Sequence, residues 1–426
     1  MKKHFFYILF AAVLLVSCGE TPSPQPQGKT AMEMAKSKKR GVAFNFNNLS
    51  DLPLLSPYIS WDYNWGNTTS DNSALWFDAN EMDFCPMCWN GNYSPDRIRA
   101  FVAAHPNTKY LLAFNEPNLT DQANMTPSQA AELWQPVVAL AKELNLKLVS
   151  PAMNYGTLSG YSDPIKWLDE FFAQPQVSAD DVYAISVHCY MASTSAVQGY
   201  IDRFVKYGKP IWLTEFCAWD PVPGNVGVQM SYMSTVLNYL EQNPSVERYA
   251  WFIPRSSAKV DSAPYMQLLT HTNPPELTEL GKIYCYFSSF DNESWLSAGR
   301  FIHAGEYVSL SDNSIPLRVT TDADAVRLAG KDGLMITNLL EGHTLTYHIN
   351  ASAAKSSITL RYCGFSNSIC EVIVDGVSQN FADMQRNGSS TEWTEVQVPV
   401  TLSPGNHIVK FSMLSGSCYF SGFSMK

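Results

Sequence analysis

Charge is scarce in this sequence, and positive charge is scarcer. Only 16% of the 426 residues are charged, and 29 Lys+Arg face 39 Asp+Glu for a net charge of −10. Beyond Lys36–Arg40 there is no basic tract, which excludes a nucleic-acid partner, because neutralising phosphates needs a cationic surface. No glycine-rich phosphate loop follows a strand candidate, so an open doubly wound sheet lacks its usual support. No second Cys-x-x-Cys or His pair matches Cys85-Pro-Met-Cys88, so a four-ligand zinc site is missing and no metal or other cofactor is expected. No apolar run is long enough to span a bilayer stably, and no internal repeat is evident. Apolar and aromatic residues, by contrast, are plentiful. With 46% hydrophobic residues, disorder over most of the length is excluded. The 11 Trp and 21 Tyr serve either a large core or the binding of something flat and polar.

The N-terminus carries an address. Lys2 and Lys3 precede an apolar run from Phe5 to Val16. The following Leu15-Val16-Ser17-Cys18 resembles the bacterial lipoprotein signal, in which cleavage leaves the cysteine as a lipidated N-terminus. Residues 1–17 are therefore expected to be a signal peptide, and 18–39 lipidated Cys18 followed by a flexible tether rich in proline from Thr21 to Gly28. Loss of Lys2 and Lys3 takes the net charge from −10 to −12. The expected location is the bacterial cell envelope, at the outer membrane, with the lipid anchor as the membrane partner. Export permits disulfides. Cys363 and Cys370 flank a short loop suited to a local bridge, and Cys85 and Cys88 form either a local disulfide or two packed thiols.

Between residues 40 and 288 short apolar runs alternate with longer amphipathic ones, the signature of a parallel sheet. The pattern predicts strands at Val42–Phe46, Tyr58–Tyr63, Leu75–Phe77, Tyr110–Phe114, Lys147–Val149, Val182–Val187, Ile211–Thr214 and Tyr249–Phe252. Ser94-Pro95 opens a helix to Ala104, and the capping box Thr126-Pro-Ser-Gln129 opens another to about Leu144. Further helices fit Ile165–Phe172, Val197–Tyr207, Gln229–Gln242 and Glu276–Tyr286. Eight strands with intervening helices match the roughly 250 residues of a (β/α)8 TIM barrel. From 295 to 426 strict alternation with tight turns, and no helix, predicts an all-β, jelly-roll-like sandwich.

In a barrel of this kind, chemistry sits at the C-terminal ends of the strands. Glu116 closes the fourth strand within Phe114-Asn-Glu-Pro-Asn118, and Glu215 closes the seventh within Trp212-Leu-Thr-Glu-Phe216. Two carboxylates at a barrel mouth suit glycoside hydrolysis. One must begin protonated to reach the leaving oxygen, and the other ionised to attack the anomeric carbon.

These motifs carry a resemblance. Trp61-Asp-Tyr-Asn64-Trp65, Pro86-Met-Cys-Trp89, Phe114–Asn118, Ser150-Pro-Ala152, Val187-His188-Cys-Tyr190, Trp212–Phe216 and Arg248-Tyr-Ala-Trp-Phe252, in that order, resemble glycoside hydrolase family 128. The resemblance implies a retaining endo-β-1,3-glucanase acting on β-glucans such as laminarin or curdlan. Glu116 would be the acid/base and Glu215 the nucleophile, with Asn115 on the sugar 2-hydroxyl. His188 and Tyr190 would line the site, and either could hold the nucleophile ionised by donating a hydrogen bond. Tyr63, Asn64 and Asn154 are candidate hydrogen-bonding residues. Among Trp61, Trp65, Trp89 and Trp251, Trp65 and Trp251 stand at strand ends as the preferred stacking faces. Cys85 and Cys88 replace aliphatic residues of the family pattern. The sandwich resembles a family 6-type carbohydrate-binding module in size and pattern. It either binds glycan, with Trp393 and Tyr307 as contacts, or packs beside the barrel. Two other functions stay open: a non-catalytic glycan-binding lipoprotein that keeps the groove, and a barrel glycosidase for another β-glucan or mannan.

Overall fold

The computed structural model describes residues 34–220 and 224–426. The signal peptide, Cys18 and the tether as far as residue 33 lie outside the described residues. Residues 34–39 already pack on the body of the protein, with Ser37 buried and Lys36 Nζ donating to the Asn80 carbonyl at 2.6 Å.

Eight strands follow: β1 (Arg40–Ala43), β2 (Trp61–Tyr63), β3 (Asp83–Phe84), β4 (Tyr110–Leu112), β5 (Lys147–Val149), β6 (Ile185–Met191), β7 (Ile211–Asp220) and β8 (Val246–Trp251). Six make one sheet in the order β3-β2-β1-β8-β7-β6, and β4 pairs with β5; every pairing is parallel. Single bridges, Met87 to Leu112 and Val149 to Ala184, link the two sheets on either side. The result is an α/β barrel-like unit. Its helices are α1 (Leu52–Leu55), α2 (Asp71–Ala79), α3 (Pro95–Ala104), α4 (Pro127–Glu132), α5 (Trp134–Glu143), α6 (Pro164–Phe172), α7 (Thr194–Asp202), α8 (Val226–Gln242) and α9 (Glu279–Tyr286).

Local chemistry explains where the elements start and where expectation and structure part. Ser94 caps α3, and Thr126 with Gln129 forms the expected capping box on α4. The expected single helix to Leu144 is two, because Pro136 has no N–H for the Glu132 carbonyl and the chain breaks at Leu133. Leu75–Phe77 is not a strand. Ser70 caps a helix there by accepting from the Ser73 amide, and Ala74 and Phe77 are buried while Leu75 is exposed, the three-residue period of a helix. The third strand is Asp83–Phe84, too short to show a period.

Inward-facing residues of the strands, among them Ala43, Trp61, Tyr63, Cys85, Tyr110 and Trp212, form a cluster separate from the strand–helix core. Gly41 is required by that packing: a Cβ on it would sit 2.5 Å from the Trp61 indole nitrogen. Cys85 and Cys88 are free, buried thiols, the second of the two states expected for them.

From Leu296 the chain forms two further sheets. One runs Leu317–Val319, Leu334–Leu340, Ser417–Met425, Lys355–Gly364, Thr394–Leu402. The other runs Ser309–Leu310, Thr344–Ala351, Gly405–Ser415, Ser368–Val374, Val377–Met384. Tyr347 and Phe411 from the second sheet meet Phe423 of the first at ring separations of 5.0 and 4.9 Å, forming the sandwich core. The region does contain a helix, α10 (Ala323–Ala329), capped by Asp322 and stopped by Gly330 at φ +72. Cys363 and Cys370 lie on opposite sheets and are free buried thiols, so the expected bridge is not formed. The loop between them crosses from one sheet to the other.

The sandwich grips the α/β unit through α8 and α9. Ser234 donates to the Leu317 carbonyl at 3.1 Å, Asn238 to that of Asn313 at 3.1 Å, and Lys282 pairs with Asp332 at 2.6 Å. Tyr307 is wholly buried in this contact, its hydroxyl donating to Asn238 at 2.8 Å, which rules it out as a glycan contact.

Candidate active site

β4 ends at Leu112, and the chain continues through Asn115 and Glu116 to Pro117. Glu116 sits at φ 45, in the left-handed region that costs a non-glycine residue about 1–3 kcal/mol. The conformation is held by main-chain bonds on either side, Asn115 N to Trp89 O at 2.8 Å and Leu119 N to Glu116 O at 3.0 Å. On β7 the pairing register slips beside Glu215 on both flanks, between Val187 and His188 on one neighbour and between Leu213 and Phe216 on the other. Such bulges re-aim a side chain. Here they accompany Glu215 as it turns toward Glu116.

Oxygens of the two carboxylates and a ring nitrogen of His188 all lie within 4.8 Å of one another. All three residues are buried: Glu116 is 6% exposed, Glu215 5% and His188 1%. His188 Nδ1 lies 2.8 Å from Oε1 of Glu116 and 3.4 Å from Oε2 of Glu215. Asn154 donates to Glu116 Oε1 at 2.8 Å. Glu215 has its own donors: Tyr63 Oη at 2.9 Å and Trp65 Nε1 at 2.7 Å on Oε1, and the Tyr190 hydroxyl on Oε2. Trp65 is held at φ 62, a second strained residue of the site.

The protons distribute accordingly. Burial works to raise the Glu116 pKa, but the charge of His188 and hydrogen bonds from His188 and Asn154 outweigh it and leave the carboxyl below its ordinary value. Burial works against a charged His188, but the Glu215 and Glu116 carboxylates together raise it. The two shifts have opposite sign, as expected of a directly bonded pair whose titrations are linked. Burial first, then the Glu215 charge, pushes the Tyr63 and Tyr190 hydroxyls well up, so both remain donors. Among the described residues, Glu116, His188 and Glu215 are the one group of acids, thiols and imidazoles close enough to hold an ion. Their donor atoms contact one another, with Nδ1 2.8 Å from Glu116 Oε1 and 3.4 Å from Glu215 Oε2.

A family profile described as a glycosyl hydrolase catalytic core matches residues 41–284. The chain belongs to this family. Within it, the chain is similar to a family 128, subgroup II endo-β-1,3-glucanase from Pseudomonas viridiflava, with 38% identity over 59% of this chain and 98% of that one and a TM-score of 0.53. A second subgroup II enzyme, from Sorangium cellulosum, is 33% identical over 58% of this chain and 97% of that one, with a TM-score of 0.50. Alkali-sensitive linkage protein 1 of Schizosaccharomyces pombe is 27% identical over 273 residues, which are 60% of this chain and 44% of that protein. The chain thus spans less than half of that curated relative.

For this glycosyl hydrolase catalytic core, the structure brings together Asn115, Glu116, Asn154, His188, Tyr190, Glu215, Tyr63 and Trp65. Asn115 Nδ2 bonds Gln122 at 3.1 Å, while its buried Oδ1 has no protein partner. That oxygen is an acceptor for an incoming hydroxyl. Asn154 and Tyr63, expected to bind substrate, bond the carboxylates. Asn64 accepts from the Gly66 amide at 3.0 Å and donates to the Thr68 carbonyl at 3.2 Å, shaping its own loop. Trp251 is not a stacking face. It is wholly buried on the outer side of the strands, against Phe216 and Tyr284, with its indole N–H on the Met266 carbonyl at 2.6 Å. Trp61 is also buried, whereas Trp89 is half-buried against the inner cluster. Trp219 went unforeseen. It is 39% exposed and meets Tyr190 edge-to-face at 5.9 Å and Phe252 at 6.2 Å. β7 is longer than the expected Ile211–Thr214 and carries Trp219 four residues past Glu215, within a register slip between Phe216 and Asp220.

Proposed function

We propose that the protein is a retaining endo-β-1,3-glucanase whose eight parallel strands close into a full (β/α)8 barrel. The observation that carries the mechanism is the short gap between the Glu116 and Glu215 oxygens, within 4.8 Å. Retaining glycosidases keep the two carboxyls about 5–5.5 Å apart, while inverting ones need about 6.5–9.5 Å for an intervening water. The substrate class rests on the two subgroup II enzymes, both described as endo-β-1,3-glucanases.

In this reading Glu215, fixed by Tyr63, Trp65 and Tyr190, attacks the anomeric carbon. The C1–O bond breaks as the single proton of the His188–Glu116 pair passes through Glu116 Oε1 to the leaving oxygen, which leaves Glu116 a carboxylate and His188 neutral. Glu116 then takes a proton from water, whose oxygen attacks C1 and releases the Glu215 carboxylate. Asn115 Oδ1 accepts from the sugar 2-hydroxyl, a bond that tightens as charge develops on the ring. For the sandwich we infer a packing role, in keeping with the burial of Tyr307. Lipidation at Cys18 and an outer-membrane envelope location complete the proposal. Among the described residues no helix is long and apolar enough to cross a membrane.

The test is laminarin with proton NMR of the first product. A β-configured reducing end released from within the chain is expected; an α-configured product excludes retention, and no product at all excludes the enzyme.

A further inference from the structure

The end of the barrel opposite the carboxylates has a different character. A hollow of about 700 Å³ opens there, lined by Lys38, Lys39, Lys209, Arg248, Tyr110 and Glu247 among others. Four cations around one hollow are unexpected in a chain of net charge −10. Two neighbouring lysines enlarge the excess, Lys109 on Asp83 at 2.7 Å and Lys147 4.2 Å above the Tyr183 ring.

The acids nearby are already satisfied. Glu247 accepts from the Trp212 indole at 2.7 Å and from Tyr183 at 2.5 Å. Asp83 takes both Lys109 and Arg248. Lys39 donates to the Leu240 and Asn243 carbonyls at the end of α8. Lys38 and Lys209, in contrast, have no hydrogen-bond or ion-pair partner among the described residues. Arg248 is 7% exposed, with its guanidinium carbon 4.4 Å from the Tyr110 ring centre and 4.7 Å from that of Trp212. Its Nη1 is buried and has no hydrogen-bond partner. An arginine pinned between rings with an unused nitrogen, beside two unengaged lysines, is an arrangement for oxygens of a multiply charged anion.

We propose that this hollow binds a phosphate group, carried by a free phosphate or by a phospholipid head group. A phosphate offers several oxygens and up to two charges to groups that come from the chain before β1, the loop before β7 and β8 itself. The site is independent of the glucanase reading, and its test uses no sugar.

Unfolding temperature of the full chain is measured in sodium phosphate against sodium chloride of equal ionic strength, alongside the double variant K38E/K209E. Wild type should gain about 2 °C at phosphate levels tenfold above half-saturation, and the variant should gain nothing while unfolding like wild type in chloride. Sedimentation with vesicles of phosphatidylcholine, alone or mixed with phosphatidylglycerol, separates the sources, since any N-terminal anchor acts equally on both. Preferential binding to the phosphatidylglycerol vesicles, lost in the variant, supports a head group. Stabilisation by phosphate with no vesicle preference supports the free ion. No response to phosphate or to phosphatidylglycerol in wild type, or an equal response in the variant, overturns the proposal.

Discussion

His188 Nδ1 stands 2.8 Å from Oε1 of Glu116 and 3.4 Å from Oε2 of Glu215. A protonated imidazole there is the counter-ion to both acids, whose charges raise the His188 pKa.

Substituting Glu116→Gln or Glu215→Gln should lower laminarin turnover by about three orders of magnitude or more, with unchanged circular dichroism. The two variants should differ in rescue. Azide, a small nucleophile that needs no general base, should restore turnover of an activated aryl glycoside in Glu116→Gln. Rescue confined to Glu215→Gln would reverse the assigned roles.

Stability should follow the same pair. His188 is raised above 6.5, so its contribution is complete below that value and disappears as pH rises through the folded pKa. Glu116 is lowered below 4.5, so its contribution is complete above that value and disappears as pH falls through the folded pKa. The pair is strongest between the two. His188→Gln should therefore cost about 3 kcal/mol near pH 5.5 in urea unfolding, and markedly less in alkali. An equal cost at both would mean that the histidine serves packing alone.

Trp219 offers an exposed ring beside Tyr190. Trp219→Ala should raise KM for laminarin about fivefold, equivalent to about 1 kcal/mol, with kcat nearly unchanged. A fall in kcat at constant KM would show that the ring instead supports Tyr190.

The eight thiols of the described residues are all free and buried. Burial pushes Cys85 and Cys285 up to about 12 and Cys189 to about 11. Native protein carrying Cys18→Ser, which leaves only these eight, should not react with an aromatic disulfide reagent, because the thiolate is the reacting species. In denaturant all eight should titrate. A count of six would mean that one pair is bridged.

The sequence made the clustered carboxylates readable because each one ends an apolar strand, and an apolar strand announces itself. Glu116, Glu215, His188 and Tyr190 were found that way. The aromatic residues were not sorted so well. Trp251 and Trp219 both lie on strands near the mouth, yet one faces the helices and the other the opening, and which is which depends on where each strand ends. β7 runs six residues past its expected end at Thr214, carrying Trp219 with it. Leu75 was misread because three apolar residues in a row fit either period, and the cap at Ser70 decided for the helix.

The clasp on α8 has a practical outcome. That helix directly follows the strand bearing Glu215, and Ser234 and Asn238 on it bond backbone carbonyls beyond residue 310. An expression fragment ending near residue 288 would leave Asn238, buried on α8, without the Asn313 carbonyl and the Tyr307 hydroxyl that it bonds in the full chain.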